Sequence, residues 1–332
     1  MRVDPDLAAL RSDPAPLLRG AGLTGTAAQE WRDAHADALA DLARFGAGAG
    51  LGECSGLAAL FHGPCAAALT AASEGLAGMI GAMRAAPLAP VPWRHFTNGV
   101  LHSLVLALAG RGSLSLALLD GAARATAHDP RGERLVSFQP GEMHVRVLAG
   151  SGTARILRNR SDDPRTARIE AEPFMLARGK NYSLDGAYEA LAIDRIDSAL
   201  VTLRLHRKPL ATGPGTGVAR QYDLASGALV HQAAGLQDDS RAELGMALLR
   251  AMGRRDAAPV FALLARSGEP AARWQALREC LALDSAVGLG ELCEVSETPG
   301  DPLARPARAL LDQLCANDPA FAKARGMLLC PA

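Results

Sequence analysis

The chain has 332 residues, 49% of them apolar, with 35 basic and 35 acidic side chains and therefore no net charge at pH 7. That apolar content excludes a disordered chain and is enough for one large core or two to three small ones. The balanced charge gives no overall attraction to nucleic acid or to an anionic membrane surface, both of which call for clustered Lys and Arg, so neither is expected as a partner.

Six cysteines (Cys54, Cys65, Cys280, Cys293, Cys315 and Cys330) form no CxxC pair, and the opening residues carry no basic stretch followed by an apolar run. The cysteines read as reduced, mostly buried thiols, and the setting as cytoplasmic. The longest apolar stretches are 56–83, broken by His62, Pro64 and Glu74, and 100–119, broken by Arg111. Neither reaches the roughly 18 uninterrupted apolar residues of a membrane span.

Residues 1–90 read as a helical segment. Trp31, His35, Ala38, Leu42 and Phe45 recur at three- and four-residue spacings, which predicts a helix over 26–45 capped by Thr24 or Thr26, with His35 packed in a core. A second helical stretch is expected over 57–83, interrupted at Gly63-Pro64, and the run Pro87, Pro90, Pro92 ends it.

Over 91–235 the period becomes strand-like. Short runs at 103–109, 113–119, 134–138, 144–148, 153–157, 167–169, 189–193 and 200–206 alternate with Gly110-Arg-Gly, Asp120-Gly, Pro140-Gly, Gly150-Ser-Gly, Arg178-Gly and Asp185-Gly. One more hairpin is expected around Ser226-Gly227. Many short strands at this spacing, with no long helical period between them, predict an antiparallel sandwich or barrel rather than a parallel sheet.

From 236 to 332 the helical period returns, with amphipathic runs at 240–252, 257–265, 270–283, 285–295 and 303–314. Glu269-Pro-Ala-Ala-Arg273 and Asp301-Pro-Leu-Ala-Arg305 each place an acidic-Pro turn before a helix of Arg-x-x-Ala-Leu type, continuing Trp-Gln-Ala-Leu277 and Pro-Ala-Arg-Ala-Leu310. This resembles the second helices of HEAT-like repeats, which implies a surface for a protein partner. The fold class expected for the whole is α+β: a central antiparallel β-sandwich between an N-terminal helical segment and a C-terminal helical-repeat-like one.

Strand alternation in the last long run sets Thr202, Arg204 and His206 against Val201, Leu203 and Leu205, and in an earlier run sets His144 and Arg146 against Val145 and Val147. If both polar faces point inward, they line a cavity with two arginines and two histidines suited to a carboxylate or phosphate. If they point outward, they face solvent, which is the plainer reading. Between residues 150 and 220 twelve basic side chains outnumber eight acidic ones, leaving plus four. A small organic anion is therefore a better-matched ligand than the whole-chain balance suggests.

The region 93–234 resembles the cupin superfamily, and within it the cysteine dioxygenase-like group. The matching segments are Ala127-His128-Asp129-Pro130, where that family has a His-Asp-His run; Val145-Arg-Val-Leu-Ala-Gly150, a valine-rich strand closing on Leu-x-Gly; Leu176-Ala-Arg-Gly179 at a glycine turn; and Leu200 to Pro209 on the final strand. The resemblance implies a jelly roll. In the family's pattern a metal is held by about three fixed N or O ligands, but Pro130 stands at the second ligand position. The resemblance thus implies a non-catalytic or regulatory protein, without cofactor, in which Arg146, Tyr188, Arg204 and His206 are the ligand-binding candidates. The alternative is a dioxygenase-like enzyme holding Fe or another divalent transition metal through a non-standard set drawn from His128, Glu142, His144, Glu189 and His206, the turn Pro140-Gly-Glu-Met-His144 resembling part of the second cupin motif.

Other chemistry leaves no trace. No phosphate-binding glycine loop follows a strand, no HExxH or GxSxG occurs, and Gly46-Ala-Gly-Ala-Gly-Leu-Gly52 reads as a flexible connection. Cys54 or Cys65 beside His62 is explained as well by packing as by catalysis.

Overall fold

A computed structural model describes residues 13–126, 134–210, 217–234, 237–268 and 270–329. The chain divides into two compact units, one of Met1–Pro209 with Gln221–Val230 and one of Leu210–Arg220 with His231–Ala332.

The first unit opens with α1 (Ala15–Ala34), α2 (Ala36–Ala47), α3 (Ser55–Phe61) and α4 (Cys65–Ala85). The helix expected over 26–45 starts earlier and breaks at His35, whose φ of −117° and ψ of 27° leave the helical region. Thr24 is not its cap: it lies inside α1, and its hydroxyl donates to the Gly20 carbonyl at 3.2 Å, the back-bond by which a mid-helix threonine satisfies itself. The interruption at Gly63-Pro64 falls where the pattern puts it. α4 runs unbroken for 21 residues with a mean hydropathy of 1.3, so its length and composition pass the test for a membrane span that the sequence pattern failed. Here its Ala68, Ala71, Ala72, Gly75 and Met79 face inward, and Trp31 Nε1 on α1 donates to the Ala71 carbonyl at 2.8 Å.

The strands form antiparallel sheets. The largest has the order β1-β2-β3-β10-β5-β8, with β1 Arg94–Thr97, β2 Leu101–Ala109, β3 Gly112–Asp120, β5 Glu142–Ala149, β8 Asn181–Asp185 and β10 Ala199–Arg207. A second sheet has the order β7-β6-β9, with β6 Ser151–Asn159, β7 Ile169–Ala177 and β9 Glu189–Ile196. The short helix α5 (Gly121–Thr126) follows β3, and β4 (Leu135–Phe138), β11 (Val218–Asp223) and β12 (Leu229–Ala234) make a third, small sheet. Gly110, Gly141, Gly150 and Gly179 at the predicted turns all have positive φ, which costs glycine nothing. Pro173 sits on β7, an edge strand, where a missing N–H is tolerated.

The largest sheet is covered on both faces. Leu114, Leu116, Leu148, Leu203 and Leu205 pack with Leu42, Phe45, Leu57 and Phe61 of the helices. On the other face Leu119, Val147 and Leu200 pack with Ala154, Leu176 and Ile196 of the second sheet. Helices, first sheet and second sheet are thus three successive layers of one unit.

In the second unit α6 (Gln237–Ala251), α7 (Ala258–Arg266), α8 (Pro270–Leu283), α9 (Ser285–Glu297), α10 (Ala304–Asn317) and α11 (Pro319–Leu329) enclose a core of Phe261, Leu277, Leu289, Leu292 and Leu311. Arginine–carboxylate pairs tie neighbouring helices: Arg250 to Glu279 at 2.5 Å, Arg266 to Glu291, and Arg273 to Asp301 at 2.5 Å. Asp284 caps α9, accepting from the amides of Ala286 and Val287.

Candidate functional site

Strand register decides which polar groups of the first unit meet. In antiparallel pairs, residues directly opposite share a face. Leu203 stands opposite Arg146, Leu205 opposite His144 and Arg207 opposite Glu142, so all three polar residues lie on the helix-covered face. They bind the helical layer, although Arg146 Nε is buried without a partner among the described residues. Arg207 donates to the carbonyls of Phe45 and Ala49 at 2.9 and 2.7 Å, pairs with Glu142, and sets its guanidinium 4.4 Å from the Phe45 ring centroid. His144 Nε2 lies 2.7 Å from Glu142 Oε1, with its ring between those of Phe45 and Phe61. Arg146, only 5% exposed, donates to the Phe61 carbonyl at 2.7 Å, and Asn181 Nδ2 donates to the same oxygen at 2.9 Å. These polar groups anchor the helical layer on the sheet.

Arg204 and His206 point the other way, toward the second sheet, rather than to solvent as the plainer reading of the alternation had it. Ser115, Arg204, Val145 and Tyr182 form one row across β3, β10, β5 and β8, and the Tyr182 ring meets Phe174 of the second sheet edge-on, centroids 5.3 Å apart. The expected pairing of Arg146 with Arg204 therefore fails, because the strand alternation of β5 puts Arg146 opposite Leu203.

Within this row Arg204 Nε donates to Thr202 Oγ1 at 3.1 Å. No carboxylate among the described residues pairs with its guanidinium. Burial disfavours its charged form and the Tyr182 phenol offsets this in part, yet a guanidinium does not lose its proton in a protein. Burial pushes the Tyr182 hydroxyl up to about 12, so it stays a neutral donor. His206, one row further along opposite Ser113, has its pKa lowered by burial and by Lys208. The outcome is one permanent positive charge, half-buried between two sheets and flanked by neutral hydrogen-bonding groups.

The other candidates lie apart. Tyr188 is 55% exposed beside β9. Glu189 pairs with Arg158 at 2.8 Å, accepts from the Asp185 amide at 3.0 Å, and lines with Tyr188 an open cleft of about 510 Å³. His128 lies outside the described residues. His206 and the Glu142–His144 pair occupy opposite faces of the first sheet, and Glu189 is in the second sheet, so the non-standard ligand set is not brought together. No group of three or more His, Cys, Asp or Glu with metal-binding geometry occurs among the described residues. The Cys54 thiol is fully enclosed and its pKa raised by burial, and Cys65 Sγ lies 3.8 Å from the Val147 carbonyl oxygen, so neither engages His62.

Tyr182 escaped the sequence reading. β8 is a five-residue strand, Asn-Tyr-Ser-Leu-Asp, too short and polar for a run, although its Tyr-x-Leu alternation between the Arg178-Gly and Asp185-Gly turns carries the signal.

No family model matches the chain, and neither does any curated protein. Among solved structures, ectoine synthase from P. lautus is 16% identical over 35% of this chain and 70% of its own, with a TM-score of 0.24. An RmlC-like cupin from Shewanella frigidimarina is 8% identical over 36% and 86%, with a TM-score of 0.25. A cupin superfamily protein from Desulfitobacterium hafniense is 16% identical over 34% and 82%, with a TM-score of 0.22. Likenesses of this size carry no argument about family or activity.

Proposed function

We propose that the strand region of the first unit is a jelly roll of the cupin kind that binds a small organic anion between its sheets, with Arg204 as the anchor. The strand order supports the jelly-roll reading. β3, β10, β5 and β8 alternate along one sheet while β7, β6 and β9 lie in the other, so the chain changes sheets between β5 and β6, β7 and β8, β8 and β9, and β9 and β10. The last strand of this sheet, β10, lies between β3 and β5 rather than beside its predecessor in the chain, as in a Greek key.

The observation that carries the binding reading is the Arg204 guanidinium, half-buried between the sheets and without an acidic partner among the described residues. A buried charge is ordinarily paired, because desolvation costs it several kcal/mol. An anion supplied from solution completes this one, while Arg146 and Arg207 on the other face are held by backbone carbonyls and, for Arg207, by Glu142.

Thermal unfolding of the full chain against a panel of carboxylates and phosphates tests the reading. A ligand at 100 times its Kd stabilises by about 2.7 kcal/mol. At least one anion is expected to raise the unfolding temperature of the native chain and not that of Arg204→Ala. Equal shifts in both proteins, or none in either, overturn the proposal.

A further inference from the structure

The charge and the neighbouring side chains of Arg204 narrow the ligand beyond "anion". Resting on the reading above, we infer that the site takes a monocarboxylate with an apolar body and discriminates against phosphate monoesters.

Charge is the first ground. On the inward face of the first sheet Arg204 is the one cation among the described residues of β3, β10, β5 and β8; Ser113, Ser115, Thr202 and Tyr182 are neutral. The neighbouring His206 has its proton affinity lowered by burial and by Lys208, so at neutral pH it adds no charge. One guanidinium balances one negative charge. A phosphate monoester carries between one and two negative charges at neutral pH, and no second cation on this face of the first sheet is at hand to balance the surplus.

Donor geometry is the second. Because Arg204 Nε is taken by Thr202 Oγ1 at 3.1 Å, the two terminal nitrogens form the free edge of the fork. That edge matches the two oxygens of a carboxylate. The Tyr182 hydroxyl has no hydrogen-bond partner in the described structure and stands two strands away in the same row, with Val145 between. A neutral donor suits a carboxylate oxygen and supplies no charge for a second anionic oxygen.

The surroundings give the third. Val145 is 1% exposed and Leu184 6%, and the Phe174 and Tyr182 rings meet edge-on at 71°. Beyond the head group these surfaces offer no hydrogen bonds, so the body that fits them is apolar, and an aromatic ring adds edge-to-face contacts.

The test compares benzoate, phenyl phosphate and benzamide, which share one ring, for binding to the full chain at pH 7.5 by titration calorimetry and thermal shift. Benzoate is expected to bind at least tenfold more tightly than phenyl phosphate, and benzamide not to bind. Arg204→Lys keeps the charge and loses the fork, so benzoate affinity should fall; Tyr182→Phe should weaken it by a smaller factor. Circular dichroism and the unliganded unfolding temperature establish that each variant folds. Phenyl phosphate binding as tightly as benzoate, with both lost in Arg204→Lys, overturns the monocarboxylate inference and leaves the anion site standing. Benzamide binding like benzoate, or no binding by any of the three together with no shift from any other anion, overturns both.

Discussion

The packing of the N-terminal helices on the first sheet is tested most sharply at Phe45. Its side chain is fully enclosed, packed in the cluster that joins Leu42 and Phe61 to Leu114, Leu203 and Leu205, with the Arg207 guanidinium over its ring. Phe45→Ala removes roughly 150 Å² of buried apolar surface, about 4 kcal/mol at 25 cal/mol per Å². Loss of the cation–π contact adds about 0.5 to 1 kcal/mol. The hydrogen bonds from Arg207 go to the backbone carbonyls of residues 45 and 49 and survive the change. The expected loss is therefore about 3 to 5 kcal/mol, the usual range for a buried Phe→Ala. For a unit of this size that lowers Tm by roughly 2 to 4 °C per kcal/mol, or about 6 to 20 °C. Calorimetry of the full chain reads the shift. Hydrogen exchange localises it, with protection expected to fall across α2, α3, β3 and β10 and to hold in α8 and α9. A loss under about 1 kcal/mol, or a fall in protection confined to the C-terminal helices, refutes the layered packing.

Other consequences follow from single contacts. Arg273 and Asp301 pair with side chains 12% and 9% exposed, so Arg273→Ala, which strands a buried carboxylate, should cost about 3 to 5 kcal/mol in urea unfolding of the C-terminal helices; a cost below 1 kcal/mol contradicts the pairing. The hydrogen bonds from Arg273 and the Leu303 amide lower the Asp301 pKa below its ordinary 3.8. Its contribution is therefore full above the unfolded value and is lost as pH falls from about 4 through the lower folded value; Arg273→Ala should flatten that part of the acid-unfolding curve, and an unchanged slope counts against it. Gly150 has φ of 89°, and a Cβ there would lie 1.9 Å from the Ala199 carbonyl oxygen, so Gly150→Ala should lower Tm by at least about 2 to 4 °C, for about 1 kcal/mol or more of strain and clash. Leu244, 71% exposed on α6, should change stability by less than about 0.5 kcal/mol on substitution by Ser, and a larger loss in denaturant titration means that the side chain is covered.

Much of the architecture is legible in residue periods because each element obeys its own pattern. The glycine-flanked runs at 103–109, 113–119, 144–148, 153–157 and 200–206 all lie inside observed strands, since alternation and positive-φ glycines leave few other conformations. The losses are equally physical. β1 is exposed throughout, so it shows no alternation, and β7 carries Glu170, Glu172 and Pro173 on an edge, which removes the apolar signature. Helix α1 begins eleven residues before its most amphipathic part because Pro14 starts it and no strong cap marks the place.

The harder question was which way the polar residues face, and alternation alone leaves it open. Residues 144, 146 and 204 are each polar between apolar neighbours, and a strand sequence states only that alternate residues differ in side. Register supplies the missing relation: pairing Leu203 with Arg146 and Val145 with Arg204 sends two similar arginines to opposite faces. The difference in their environments then sets their chemistry. Arg146 meets the end of α3, whose terminal carbonyl at Phe61 has no partner within the helix and accepts a hydrogen bond from its guanidinium. Arg204 meets a second sheet whose backbone groups are already paired with one another, so no comparable acceptor waits for it. A helical layer consumes a guanidinium and a sheet layer does not. The same residue type is therefore structural on one face of β10 and β5 and available for a ligand on the other.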